Sequence, residues 1–128
     1  MKLYRLKILL PFLCLFVLGS ASPKMTGEEI GNYIQKKLKR NNQVLRINSK
    51  NLGDDGVAYL ASSPILKTVE TLILYKGHFG DEGVRALAES ENLDQLTSLY
   101  LENNNITDLG VEHISRSEYL SNLKVLNL

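Results

Sequence analysis

A period constrains this chain more than any other feature. Sliding residues 96–115, LTSLYLENNNITDLGVEHIS, back by 27 positions sets Leu96, Leu99, Leu101, Ile106, Asp108, Gly110, Val111 and Ile114 over Val69, Leu72, Leu74, Phe79, Asp81, Gly83, Val84 and Leu87. A second step of 27 reaches Leu45, Ile47, Leu52, Asp54, Gly56, Val57 and Leu60. One step forward lands on Leu123, Leu126 and Leu128, again without insertion or deletion. A single supersecondary unit of this length cannot bury its own apolar face, so the units must stack and share a continuous core. Leu99 and Leu101 read as inward positions of a short strand, and Val111 with Ile114 as one face of a helix.

With those positions in view, LTSLYLENNNITDLG resembles the LxxLxLxxNxI core of the leucine-rich repeat family. The halves NLGDDGVAYLASSPIL, HFGDEGVRALAESENL and NITDLGVEHISRSEYL are similar to the longer, helix-carrying repeats of its ribonuclease-inhibitor-like branch. The resemblance covers residues 44–128 as three repeats plus the strand of a fourth. It implies an α/β solenoid, a horseshoe segment with a parallel concave sheet and convex helices.

The chemistry of single positions agrees. After Leu99 and Leu101 the chain must turn sharply with its backbone polar groups satisfied, and the amide of Asn104 both donates and accepts for such a structural turn. The equivalent positions are Lys50 and Gly77, so the first two repeats are expected to turn more loosely, or to use the neighbouring Asn51 instead. Asp54, Asp81 and Asp108 fall where a helix N-cap is wanted, with Asp55 and Glu82 adding acid where the dipole favours it. A metal cluster is the rival reading, but capping accounts for all three repeats and no histidine or cysteine recurs beside them. Gly56, Gly83 and Gly110 recur because the loop-to-helix junction packs closely. Ahead of the repeats, Thr26-Gly27-Glu28-Glu29 reads as a capping box opening a helix through about Arg40, with Ile30, Tyr33, Ile34 and Leu38 as its apolar stripe. Such a helix suits the N-terminal cap that the first repeat of a solenoid needs. Lys36, Lys37, Lys39 and Arg40 then form its solvated face, the alternative being a patch for anionic lipid or polymer.

The first residues have a different character. Lys2, Arg5 and Lys7 precede an apolar run from Ile8 to Leu18, and Gly19-Ser20-Ala21 supplies small residues. This is the layout of a secretory signal peptide over residues 1–21, cleaved after Ala21 to leave Ser22 first, because Pro23 would obstruct cutting one residue later. Phe12 and Leu13 before Cys14 argue against lipid attachment there. Residues 22–43 are then an N-terminal linker and the capping helix. Cys14 is the only cysteine, so the exported chain has no thiol and must rest on packing. Cysteine-free repeats point to a bacterial source, since animal extracellular relatives usually carry disulfide caps. Removing three of 15 basic residues leaves 12 against 14 acids, a net charge near −2, which argues against a nucleic-acid binder. The charge is segregated: residues 22–50 hold seven basic and two acidic side chains, and residues 51–128 five and twelve.

Solenoids generally bind through the strand-lined face. Its outward columns here are Arg46, Ile73, Tyr100 and Asn127; Asn48, Tyr75 and Glu102; and Ser49, Lys76 and Asn103, with Thr71, Ser98, Val44 and Val125 beside them. Tyrosine among apolar and ionisable groups is the mixture found at protein-binding hot spots, although aromatics also simply favour strands. His78 and His113 fall in unrelated places, one in a turn and one on a helix, so no nucleophile, base and orienter converge, and Asn105-Ile106-Thr107 matches a glycosylation sequon. The expectation is an exported, non-enzymatic module that binds a protein partner, with no cofactor, no metal, no nucleic acid and no membrane contact after leader removal. The alternatives are an envelope protein that self-associates edge to edge through Leu123, Val125, Leu126 and Leu128, and the substrate-recognition part of a longer protein.

Overall fold

A computed structural model describes residues 23–128; the expected leader, its cleavage point and Cys14 lie outside them. At the N-terminal side the Thr26 hydroxyl accepts the Glu29 amide, and the Glu29 carboxylate accepts the Thr26 N–H at 2.8 Å. This reciprocal cap opens α1, Gly27–Leu38. The helix stops two residues before Arg40, whose N–H closes a tighter turn on the Lys37 carbonyl. Ile30, Ile34 and Leu38 are buried, while Tyr33 is half-buried against the core rather than within it.

Each repeat then follows one plan. The strands are β1 Val44–Asn48, β2 Thr71–Tyr75, β3 Ser98–Tyr100 and β4 Val125–Asn127, and the helices are α2 Gly53–Ala61, α3 Asp81–Ala88 and α4 Asp108–Ser115. Short 3₁₀ turns at Pro64–Thr68 and Glu91–Leu93 lead from the end of α2 to β2 and from the end of α3 to β3. The strands form one parallel sheet in the order β1-β2-β3-β4. Val44 pairs with Thr71, Thr71 with Ser98, and Ser98 with Val125, so the sheet register is the sequence period itself. Alternation puts Leu45, Ile47, Leu72, Leu74 and Leu99 inside, with Leu101 just beyond β3; Val57, Leu60, Val84 and Leu87 meet them from the helices. Leu66 and Leu93 close each layer from the 3₁₀ side.

Units are tied together at both ends of the helical layer. Asp54 accepts the amides of Gly80 and Gly83 at 2.9 and 2.8 Å, and Asp81 accepts those of Thr107 and Gly110 at 2.8 and 3.0 Å. The recurring aspartate is therefore not the N-cap of its own helix. Leu52, Gly80 and Thr107 hold those places, and each of these two aspartates caps the helix of the following repeat. Its approach explains the glycines: a Cβ on Gly110 would lie 2.6 Å from Asp81 Oδ1, and one on Gly83 3.0 Å from Asp54 Oδ1. At the other end the Ser90 hydroxyl donates to the carbonyl of Ala61, the last residue of α2, and the Ser117 hydroxyl to that of Ala88, the last residue of α3.

The turns after the strands differ from expectation. Asn104 spans two repeats: Oδ1 accepts the Gly77 N–H at 2.8 Å, and Nδ2 donates to the carbonyls of Leu74 and Leu101 at 2.7 Å each. The second turn is thus not loose, because the next repeat closes it. Gly77 cannot carry an asparagine there, since a Cβ would meet the Phe79 ring at 2.7 Å. In the first repeat the Gly77 carbonyl accepts the amides of Leu52 and Gly53, both at 3.0 Å.

Val111 departs from the pattern. It is 38% exposed where Val57 and Val84 are fully buried, and Leu126 and Leu128 are 39% and 47% exposed. Each unit is covered by the one after it, and among the described residues nothing lies over this side of α4 and β4.

Candidate binding face

Strand alternation that buries Leu45, Ile47, Leu72, Leu74 and Leu99 must turn the intervening residues to the other face of the sheet. Parallel pairing in a strict register then brings residues 27 apart side by side. Arg46, Asn48, Thr71, Ile73, Tyr75, Tyr100 and Glu102 line one open groove of about 530 Å³, with Val44 at its margin. Seven of the ten sequence-derived face residues thus share one surface. Ser98 pairs with Thr71 beside the groove without lining it. Glu102 lies two residues beyond β3 rather than in it, yet faces the same space.

Lys76 and Asn103 do not belong to the strands. Ser49 and Lys76 directly follow β1 and β2, and Asn103 lies three residues past β3, at φ of 52°, 52° and 61° respectively. This left-handed conformation suits asparagine and strains the other two, and it turns the third expected column away from the sheet. Lys76 nevertheless folds back, with Nζ 5.8 Å from the centroid of the Tyr75 ring. Asn127 reaches Glu102 with Nδ2 2.6 Å from Oε1, so the acid is held at the β4 side.

Alongside β1, outside the groove lining, stands Tyr33, which sequence reasoning assigned to the core stripe alone. Its hydroxyl donates to the Arg46 carbonyl at 3.4 Å, and its ring carries Lys37 Nζ at 5.3 Å and Lys50 Nζ at 5.8 Å from the centroid. The only available signal was a tyrosine among aliphatic positions of a lysine-rich helix. The serine tie between repeats was also missed, although Ser63, Ser90 and Ser117 recur at 27 residues.

Two carboxyl groups are shifted, both by structural roles. The Thr26 backbone amide, followed by its hydroxyl, holds Glu29 below the usual carboxylate range. The Thr107 hydroxyl, followed by its amide, does the same for Asp81. Neither lines the groove. His78 lies in the turn after β2 at φ 57°, and His113 in α4 beside Arg85 and Arg116 on the helical side, so the imidazoles share no site. What the groove offers chemically is aromatic and aliphatic area flanked by an arginine and a glutamate.

Residues 66–88 and 96–115 each match the family model described as Leucine Rich repeat. No curated protein matches the chain. Leucine-rich repeats in an open α/β solenoid are thus present, and such repeats suggest a protein-interaction module.

Proposed function

We propose that this chain is an exported, non-catalytic module that binds a protein partner through the strand-lined groove. The observation that carries this reading is the grouping of half-exposed Ile73, Tyr75 and Tyr100 in one groove with Arg46 and Glu102. Such aromatic residues provide large contact area at small conformational cost. Export rests on the leader-like residues 1–21, and a bacterial source on the cysteine-free repeats.

Capture from the organism's own extracellular fraction tests the reading, with the parent and Tyr75→Ala/Tyr100→Ala immobilised side by side. Both side chains point away from the core, so the melting curve should stay put while the proteins captured by the parent are lost. Undiminished capture by the double variant would sink the assignment.

A second reading has its own observation. Val125, Leu126 and Leu128 are 41%, 39% and 47% exposed on or beside β4, and such an apolar strand edge supports association with a second copy. Leu126→Lys separates the two: loss of oligomers with capture retained favours self-association, and loss of neither removes it.

A further inference from the structure

The charges around the groove are unbalanced. Two ammonium groups, Lys37 and Lys50, are held on the Tyr33 ring, and Arg46, whose carbonyl that tyrosine binds, is on the groove wall. Each ammonium group is held by the ring quadrupole alone, at 5.3 and 5.8 Å from the centroid, a contact worth about 0.5–1 kcal/mol where solvent reaches it. Among the described residues the salt bridges are Lys24–Asp55, Arg85–Glu82 and Arg116–Glu112, so Lys37, Lys50, Arg46 and Lys76 have no carboxylate at ion-pair distance. Glu29 is the acid that feels Lys50, but its Oε2 already accepts both the amide and the hydroxyl of Thr26. The β3 side of the groove carries the acid Glu102, two residues past Tyr100, and Ile73 and Tyr75 of β2 lie between it and β1. The slot is therefore positive at β1, apolar in the middle and negative beyond β3.

Building on the interaction reading above, we infer that the groove takes an extended acidic segment of a partner protein, laid across the strands. Its carboxylate seats among Arg46, Lys37 and Lys50, and a large apolar side chain sits on Ile73 and Tyr100. Neighbouring strands are about 4.8 Å apart, so β1 and β3 are separated by about 10 Å, which an extended chain at about 3.3 Å per residue covers in about three residues. The acid and the apolar residue should therefore be about three positions apart. An anionic bilayer fits less well, because Glu102 shares the slot and residues 51–128 hold twelve acidic side chains against five basic.

Fluorescence anisotropy with short fluorescein-labelled peptides tests this. One carries glutamates about three positions from a phenylalanine, and two others carry glutamine or lysine instead of glutamate. The parent should bind the glutamate peptide about tenfold more tightly than the lysine peptide, a preference that weakens with salt and disappears in Lys37→Glu/Lys50→Glu. Lys37→Gln/Lys50→Gln serves the same purpose if the reversed pair fails to fold, and should lose most of the preference. Failure of all three peptides to bind, or binding to phosphatidylglycerol vesicles without binding to the glutamate peptide, would overturn the inference. Equal binding of all three peptides that is lost in Tyr75→Ala/Tyr100→Ala would overturn the charge selection and leave the concave-face reading standing. Glutamate-selective binding that survives the tyrosine variant would instead overturn the groove itself.

Discussion

Replacing Asn104 tests the claim that the repeats are stitched together at their turns. Its side chain makes three bonds of ordinary length, with the Gly77 N–H at 2.8 Å and the carbonyls of Leu74 and Leu101 at 2.7 Å, and a fourth contact to the Glu102 carbonyl is long at 3.4 Å. The amide has two hydrogens, so two carbonyls are served well and the third only shares. At about 1 kcal/mol net for each good bond, Asn104→Ala should cost about 3 kcal/mol, somewhat less if water enters the half-buried turn. For a domain of this size that is a fall in Tm of about 15 °C. Asn104→Asp is the sharper variant. It keeps an acceptor for Gly77 but turns a donor into a second acceptor facing two carbonyls, so it should lose at least as much as alanine despite being isosteric. Urea and thermal melts followed by circular dichroism read both, and hydrogen exchange at the Gly77 amide should accelerate in the alanine variant before global unfolding. If Asn104→Asp melts with the parent, the donors carry nothing and the account of the turn is wrong.

Other consequences are as direct. Leu99→Ala removes a fully buried side chain between repeats and should cost about 2–5 kcal/mol in a urea titration; an unchanged midpoint would refute the register. Gly110→Ala would place a Cβ 2.6 Å from Asp81 Oδ1 and 2.7 Å from Ile106, so it should destabilise by about 1–3 kcal/mol, whereas Gly31→Ala, 3.4 Å from only the Tyr59 hydroxyl, should be tolerated. Asp81 has its folded pKa lowered below the ordinary 3.8, so its contribution is present above that value and is lost as the pH falls through the folded pKa; Asp81→Asn should flatten the acid limb of the stability curve. N-terminal sequencing of exported protein should begin at Ser22, and retention of Met1 or lipid on Cys14 would defeat the leader reading.

The architecture was legible because packing imposes one rule on every unit. A residue that points into the stack meets its own equivalents 27 positions away, so Leu45, Leu72, Leu99 and the helix faces had to recur together, and the strand register followed directly. Two features escaped for opposite reasons. The aspartates were visible, but a period cannot say which repeat a side chain serves, and Asp54 and Asp81 reach forward rather than into their own helices. The left-handed turns at Ser49, Lys76 and Asn103 were hidden, because serine and lysine give no sign of positive φ and only the third position carries asparagine. Reading those residues as strand carried the strand columns too far.

The candidate binding face is legible only as a location, and the reason lies in how the units are coupled. Asp54 and Asp81 at the start of the helical layer, Ser90 and Ser117 at its end and Asn104 at the turn hold neighbouring repeats through backbone groups. The outward strand positions take no part in these ties, so their side chains can change without altering the stack. Arg46, Ile73 and Tyr100 show this: they occupy one column in perfect register, yet one is cationic, one aliphatic and one aromatic. A position held by packing would not tolerate that range. Variation along a column that geometry keeps aligned shows that packing does not fix these side chains, so under the proposed reading substitutions there should move affinity with little effect on folding, whereas substitutions at Asp81 or Asn104 should move folding first.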